Sequence, residues 1–292
     1  MQSLRGTGVA LVTPFQADHS VDFDAFARLI EYNLANGVNY LVVNGTTGES
    51  VTTTAEEKKQ LLAFAKKQIA GRVPLVYGIG GNNTQAVIDL IKNADLAGVD
   101  ALLSVSPYYN KPSQEGIYLH YTAVADASPV PVILYNVPGR TGSNVMAATT
   151  LRLAQHPSII GIKEASGNME QCMAIVQDKP EGFLVISGED MLTVPMISIG
   201  MDGIISVLAN AFPARFSRMT KLAMDDDFHE AGALQRSFLA INPLMYEEGN
   251  PVGVKFALEQ AGICGAYVRL PLAPASDSLK ERIKASSIGL EN

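Results

Sequence analysis

The chain has 292 residues, 47% of them hydrophobic and 17% charged, with a formal net charge of −7. Such a composition describes a chain with a large packed core and excludes a disordered one, while the acidic balance offers no basic face for nucleic acid or an anionic membrane. Cys172 and Cys264, and the histidines His19, His120, His156 and His229, form no CxxC, HxH or HExxH group, so neither a disulfide framework nor a metal site is expected.

Met1-Gln2-Ser3-Leu4-Arg5-Gly6 has no apolar core behind a basic start, so no signal peptide is read. No apolar run approaches the ~20 residues that span a bilayer. The expectation is a reduced, cytoplasmic protein.

The first apolar run, Gly8–Thr13, reads as a strand. Asp22 can then cap a helix with Phe23, Phe26, Ala27, Ile30 and Leu34 on one face, which Gly37 ends. A second strand, Tyr40–Asn44, follows. Thr54-Ala55-Glu56-Glu57 has capping-box spacing ahead of Leu61, Phe64 and Ala65. After a strand at Leu75–Ile79, Asn83 caps a helix with Val87, Leu90, Ile91 and Ala94 inward and Gly98 as terminator. Further strands are expected at Ala101–Ser104, Val132–Asn136, Ile159–Lys163, Leu184–Ser187 and Gly203–Val207. These runs alternate little, as when both faces of a parallel sheet are buried.

One joint recurs: Gly37-Val38-Asn39, Gly98-Val99-Asp100 and Gly200-Met201-Asp202 each stop a helix just before a strand. Eight such βα units predict a closed (β/α)8 TIM barrel over residues 1–225, with 226–292 as a small C-terminal helical appendage. One helix there would begin at Asn250-Pro251, a cap followed by proline at the first helical position. Asp225-Asp226-Asp227 reads as a solvated helix end or loop, and Met191, Met196 and Met201 as core packing.

In this fold chemistry sits at the C-terminal ends of the strands. Lys163 closes the apolar run Ile159-Ile160-Gly161-Ile162, and burial there disfavours its ammonium form, which is what an amine nucleophile needs. Gly161, on the same face, would leave space beneath it. The alternative is a lysine reaching solvent or pairing with Glu164. Tyr135 occupies the matching end of the preceding strand, where a phenol can shuttle protons; otherwise it is a buried aromatic with a tethered hydroxyl.

Thr46 and Thr47 lie in a Gly-bracketed turn that can hold a carboxylate, or they serve the turn alone. Arg140 offers a fork for a second carboxylate, or makes a surface ion pair. Tyr108-Tyr109 fits an oligomer contact as well as a site. The rival amines are weaker: Lys111 in a polar loop, and Lys255 on a C-terminal helix away from the strand ends.

Together GTTGES (Gly45–Ser50), SPYYNKP (Ser106–Pro112), YNVPGRTG (Tyr135–Gly142) and GIKEASGN (Gly161–Asn168) closely resemble the dihydrodipicolinate synthase family. The resemblance covers essentially the whole chain, from GVALVTPF (Gly8–Phe15) to NPVGVKFAL (Asn250–Leu258) and RLPL (Arg269–Leu272). The lysine and tyrosine motifs are shared across the N-acetylneuraminate lyase superfamily, and the arginine of VPGRTG is more specific to the synthase branch.

What the resemblance implies is a pyruvate-dependent condensation in the diaminopimelate and lysine pathway, a lyase of class I aldolase type. Lys163 would form a Schiff base with pyruvate, whose enamine attacks aspartate 4-semialdehyde. Tyr135, Thr46 and Tyr109 would relay protons, with Tyr109 supplied by a neighbouring subunit. Thr46 and Thr47 would hold the pyruvate carboxylate and Arg140 the semialdehyde's, while Gly188 and Ile205 would line the pyruvate pocket. A homotetramer without metal or organic cofactor is implied. The competing readings are another aldolase of the superfamily, cleaving N-acetylneuraminate or 2-keto-3-deoxy-sugar acids, and a non-catalytic barrel that binds.

In lysine-inhibited members an allosteric site uses a serine, an asparagine and a tyrosine, matched by Ser50, Asn82 and Tyr108. The glutamate of that site is matched by Ala86, and positions often held by histidine by Ala55 and Lys58. Without the carboxylate, a charge-assisted hydrogen bond to lysine's amines is lost. Weak or absent feedback by lysine is therefore predicted; turnover assays showing inhibition at sub-millimolar lysine would contradict it.

Overall fold

The computed structural model describes residues 4–290. Its strands are β1 (Gly6–Ala10), β2 (Tyr40–Val43), β3 (Leu75–Gly78), β4 (Ala101–Val105), β5 (Val132–Asn136), β6 (Ile159–Glu164), β7 (Leu184–Ser187) and β8 (Gly203–Ser206). Each pairs in parallel with the next, and β1 closes on β8, with Gly8 opposite Ile205. This is the (β/α)8 barrel expected from the repeated βα units. The first strand begins and ends earlier than its apolar run, since beyond it Val12 N bonds the Asn210 side chain in place of a neighbouring strand.

The lack of alternation has a physical source. Tyr40, Val42, Leu103, Ile133, Ile186 and Ile205 fill the barrel, while Leu41, Leu102, Leu134, Ile162, Val185 and Ile204 meet the helices. Apolar side chains are needed on both faces, each contributing about 1.5–3 kcal/mol when fully buried. Tyr40 spans the interior and donates to Ile204 O at 3.1 Å. Its ring fits because residue 8 is glycine: a Cβ there would lie 2.2 Å from the ring.

The outer layer begins with α1 (Phe23–Ala35), α2 (Ala55–Ile69), α3 (Thr84–Asn93) and α4 (Gln114–Ala127). It continues through α5 (Pro138–Thr141), α6 (Ala147–Leu153), α7 (Met169–Asp178), α8 (Thr193–Ser198) and α9 (Pro213–Met224). Asp22 caps α1 through Ala25 N, Thr54 and Glu57 form the capping box of α2, and Asn83 caps α3. Gly37, Gly98 and Gly200 all take positive φ at the helix-to-strand joints.

Two details differ from the sequence reading. The buried stripe of α1 centres on Ala25, Phe26, Leu29 and Ile30. On α3 Leu90 is 51% exposed, not inward, and the helix stops at Asn93, several residues before Gly98. With only Val87 and Ile91 buried, α3 presents a narrow apolar edge to the barrel and leaves Leu90 on an outer groove.

After the barrel come α10 (Phe228–Ser237), α11 (Val252–Gln260) and α12 (Asp277–Ser287). Asp225 ends α9 and Asp227 caps α10, so the acidic run is helix-end chemistry. Met196 and Met201 are buried in the core. The helix expected at Asn250-Pro251 starts at Val252, with Pro251 at the cap; Asn250 is held by the site instead. No helix among the described residues is long and apolar enough to cross a membrane.

Candidate active site

The ends of β5 and β6 define the site. Tyr135 is in register with Lys163, and Asn136 with Glu164. Successive strand residues face opposite ways, so the first pair points into the barrel and the second toward the helices. Lys163 is 5% exposed, and its Nζ lies 4.5 Å from the Tyr135 ring centroid. Its amine makes no hydrogen bond or ion pair with any described residue.

Glu164 is neither a partner of Lys163 nor solvated. It is fully buried on the outer side of the barrel wall, where it accepts from Asn136 Nδ2 at 2.9 Å, Ser166 N at 2.7 Å and Gln171 Nε2 at 2.8 Å. Nor does Gly161 leave space beneath the lysine. A Cβ there would meet Leu184 O at 2.6 Å, so the glycine admits β7 backbone instead. Room for the lysine comes from Gly188, where a Cβ would lie 2.9 Å from Lys163 Cε.

Lys163 and Tyr135 open into a cavity of about 1220 Å³ that also carries Thr46, Thr47, Arg140 and Gly188. The strand-end loops thus converge as the sequence predicts. Gly188 N donates to Glu164 O at 2.8 Å. Ile205 is buried in the barrel interior and does not line the cavity. Tyr109 is 88% exposed, at φ 75°, and does not line this chain's own cavity. Ser50 and Tyr108 line its outer part, and Asn82 Nδ2 donates to Tyr108 O at 3.3 Å. Ala55 and Lys58 lie in the same outer region, while Ala86 is an exposed position on α3.

Sequence reasoning passed over the support beneath the threonine turn. Lys255 does lie on a C-terminal helix, yet it is fully buried, and its Nζ donates to Glu49 Oε1 at 2.6 Å and Tyr267 O at 2.7 Å. Burial lowers the Lys255 pKa, and the Glu49 charge opposes that fall. Lys255 is thus ruled out as the nucleophile because its amine is committed to Glu49 and Tyr267, not because it is remote. Glu49 sits at φ 52° and takes a second bond from Arg269 N at 3.0 Å. Arg269 in turn forks onto Glu57, whose pKa falls to about 2 as a result. Asn250 Nδ2 donates to Thr47 Oγ1 at 2.9 Å. Only the spacing of NPVGVK hinted that one helix start would supply both Asn250 and Lys255.

Two acids on the β7 loop were also missed. Asp190 is buried and accepts from Val207 N at 3.2 Å, Leu208 N at 2.9 Å and Tyr246 Oη at 3.0 Å, tying the β7 loop to the β8 loop. Burial raises its pKa and that of Tyr246. Glu189 lines the cavity itself. Among the described residues no cluster of three or more His, Cys, Asp or Glu could hold a metal ion.

The family model described as the dihydrodipicolinate synthetase family matches residues 3–287. The chain belongs to that family. It is 57% identical to the 4-hydroxy-tetrahydrodipicolinate synthase of Cytophaga hutchinsonii over 288 residues, covering 99% of this chain and 97% of the relative. Among solved structures, the dihydrodipicolinate synthase of Aquifex aeolicus superposes with a TM-score of 0.94 at 37% identity, covering 98% of this chain and 97% of that one. The chloride-inhibited dihydrodipicolinate synthase of Acinetobacter baumannii, complexed with pyruvate, gives 0.95 at 38%, covering 98% and 99%. As a member of this family the chain is an enzyme of lyase type acting on small molecules.

Removing one member of the Lys255–Glu49 pair leaves a buried charge without its partner. Lys255→Met is predicted to cost about 3–5 kcal/mol in urea unfolding and to raise the pyruvate KM through a loosened threonine turn. Wild-type stability with an unchanged KM would show that the pair does not support the site.

Proposed function

We propose that this chain condenses pyruvate with L-aspartate 4-semialdehyde to give 4-hydroxy-tetrahydrodipicolinate, with Lys163 as the Schiff-base amine. The observation that carries the reading is an enclosed lysine amine with no protein hydrogen bond, beside a tyrosine, in a cavity edged by an arginine and a threonine turn.

Lys163 Nζ attacks C2 of pyruvate, and loss of water from the carbinolamine gives an iminium. Removal of a C3 proton yields the enamine, whose C3 attacks the aldehyde carbon. Ring closure by the semialdehyde's own amine then frees the lysine. Tyr135 is placed to pass protons in these steps. Thr47 accepts from Asn250, so its hydroxyl hydrogen is free for the pyruvate carboxylate, with Thr46 beside it. Arg140 forks onto the semialdehyde carboxylate, and the Gly188 carbonyl lines the pyruvate end.

Tyr109 belongs to the relay of a neighbouring copy, since it faces away from its own cavity; the working assembly is a homotetramer. The iminium itself serves as electron sink, so no metal or organic cofactor is assigned. A biosynthetic role on small metabolites fits a cytoplasmic location.

Tyr135→Phe is expected to lower kcat by about 10²–10⁴-fold. Arg140→Ala is expected to raise the KM for the semialdehyde about tenfold or more with the pyruvate KM little changed. Steady-state kinetics with both substrates check this. Cleavage of N-acetylneuraminate or a 2-keto-3-deoxy-sugar acid, with no turnover of the semialdehyde, would overturn the reading.

A further inference from the structure

Glu189 is a carboxylate with no assigned task. It follows Gly188, the glycine against which the Lys163 side chain lies, and it lines the cavity together with Lys163 and Arg140. Ser187 Oγ accepts from its backbone N–H, but no described residue donates to its carboxylate. The opposite charges that bear on it are those of Lys163 and Arg140, against the like charges of Asp190 and Glu164. Burial and the Asp190 charge raise its pKa. A partly buried carboxylate without a hydrogen-bond donor is costly unless a ligand supplies one.

The condensation changes this balance. Once the enamine forms, the nitrogen of Lys163 carries no charge. At the stage when the second substrate arrives, that nitrogen therefore offers Glu189 no counter-charge. That substrate carries both signs, an α-carboxylate and an α-ammonium on one carbon. Arg140 suits the first. A cavity with one free carboxylate suits the second, and Asn250 Oδ1, buried without a partner in the same cavity, adds a neutral acceptor.

We propose that Glu189 binds the α-ammonium of the acceptor aldehyde and takes its proton before ring closure. This rests on the reading of the reaction given above. The ammonium gives one proton to the Glu189 carboxylate. The free amine then attacks C2 of the iminium on Lys163, and its lone pair forms the new C–N bond while the C=N π pair moves to the lysine nitrogen. Transfer of a proton to that nitrogen and cleavage of its bond to C2 release Lys163 as an amine and leave the cyclic imine. No oxidant or further reactant enters. Glu189 discriminates as well as catalyses, because an aldehyde lacking the amine cannot use it.

The test compares wild type with Glu189→Gln on two acceptors of the same carbon skeleton, aspartate 4-semialdehyde and succinate semialdehyde, which lacks the amine. Borohydride trapping of pyruvate on Lys163 is read in parallel. The substitution is expected to lower kcat/KM for aspartate semialdehyde about ten- to a hundredfold, the scale of a lost charge-assisted hydrogen bond. Consumption of succinate semialdehyde and the yield of trapped pyruvate should stay near wild type. Equal losses on both aldehydes, loss of the pyruvate adduct, or full activity on aspartate semialdehyde would each overturn the proposal. If the wild type itself fails to turn over aspartate semialdehyde, the proposed reaction falls first, which separates the two failures.

Discussion

The register between β5 and β6 places Tyr135 opposite Lys163 and, one residue on, Asn136 opposite Glu164. A slip of one residue would exchange the two pairs. The lysine and phenol would face the helices, and a carboxylate bonded to an amide would face the cavity. The outer pair resists that slip, because Glu164 is bound by Asn136, Gln171 and the Ser166 backbone behind the barrel wall. The polar network that does no chemistry therefore fixes which side chains can.

The loops around that pair are held by charges buried away from substrate. Glu49 and Lys255 join the threonine turn to a C-terminal helix, and both their side chains are almost wholly enclosed. Asp190 joins the β7 and β8 loops through backbone amides and Tyr246. Such groups are costly to bury and costlier still to leave without their partners, so each ties its loop to a second element. The residues after β8 contribute to the site through Asn250 and Lys255.

The barrel was legible because its strands are short apolar runs buried on both faces, and because three glycines mark the same helix-to-strand joint. Lys163 and Tyr135 were legible because a polar residue ending such a run is conspicuous, and the fold assigns chemistry to strand ends. Arg140 and the threonines were found through their turns and motifs. The ion pair of Lys255 was not legible, because a helical pattern says which face is buried but not what a lysine on that face will meet 206 residues away. Gly161 was misread because strand parity shows direction and not how closely the neighbouring strand approaches. Glu189 and Asp190 are adjacent acids with opposite surroundings, one lining the cavity and one sealed behind it, and only the folded loop separates them.

The central claim is that the enclosed amine of Lys163 is the nucleophile. Sodium borohydride reduction in the presence of pyruvate, followed by peptide mass mapping, tests it most directly. A stable adduct on the peptide containing Lys163, and on no other, is the predicted result. An adduct on Lys111 or Lys255, or none at all, would contradict it.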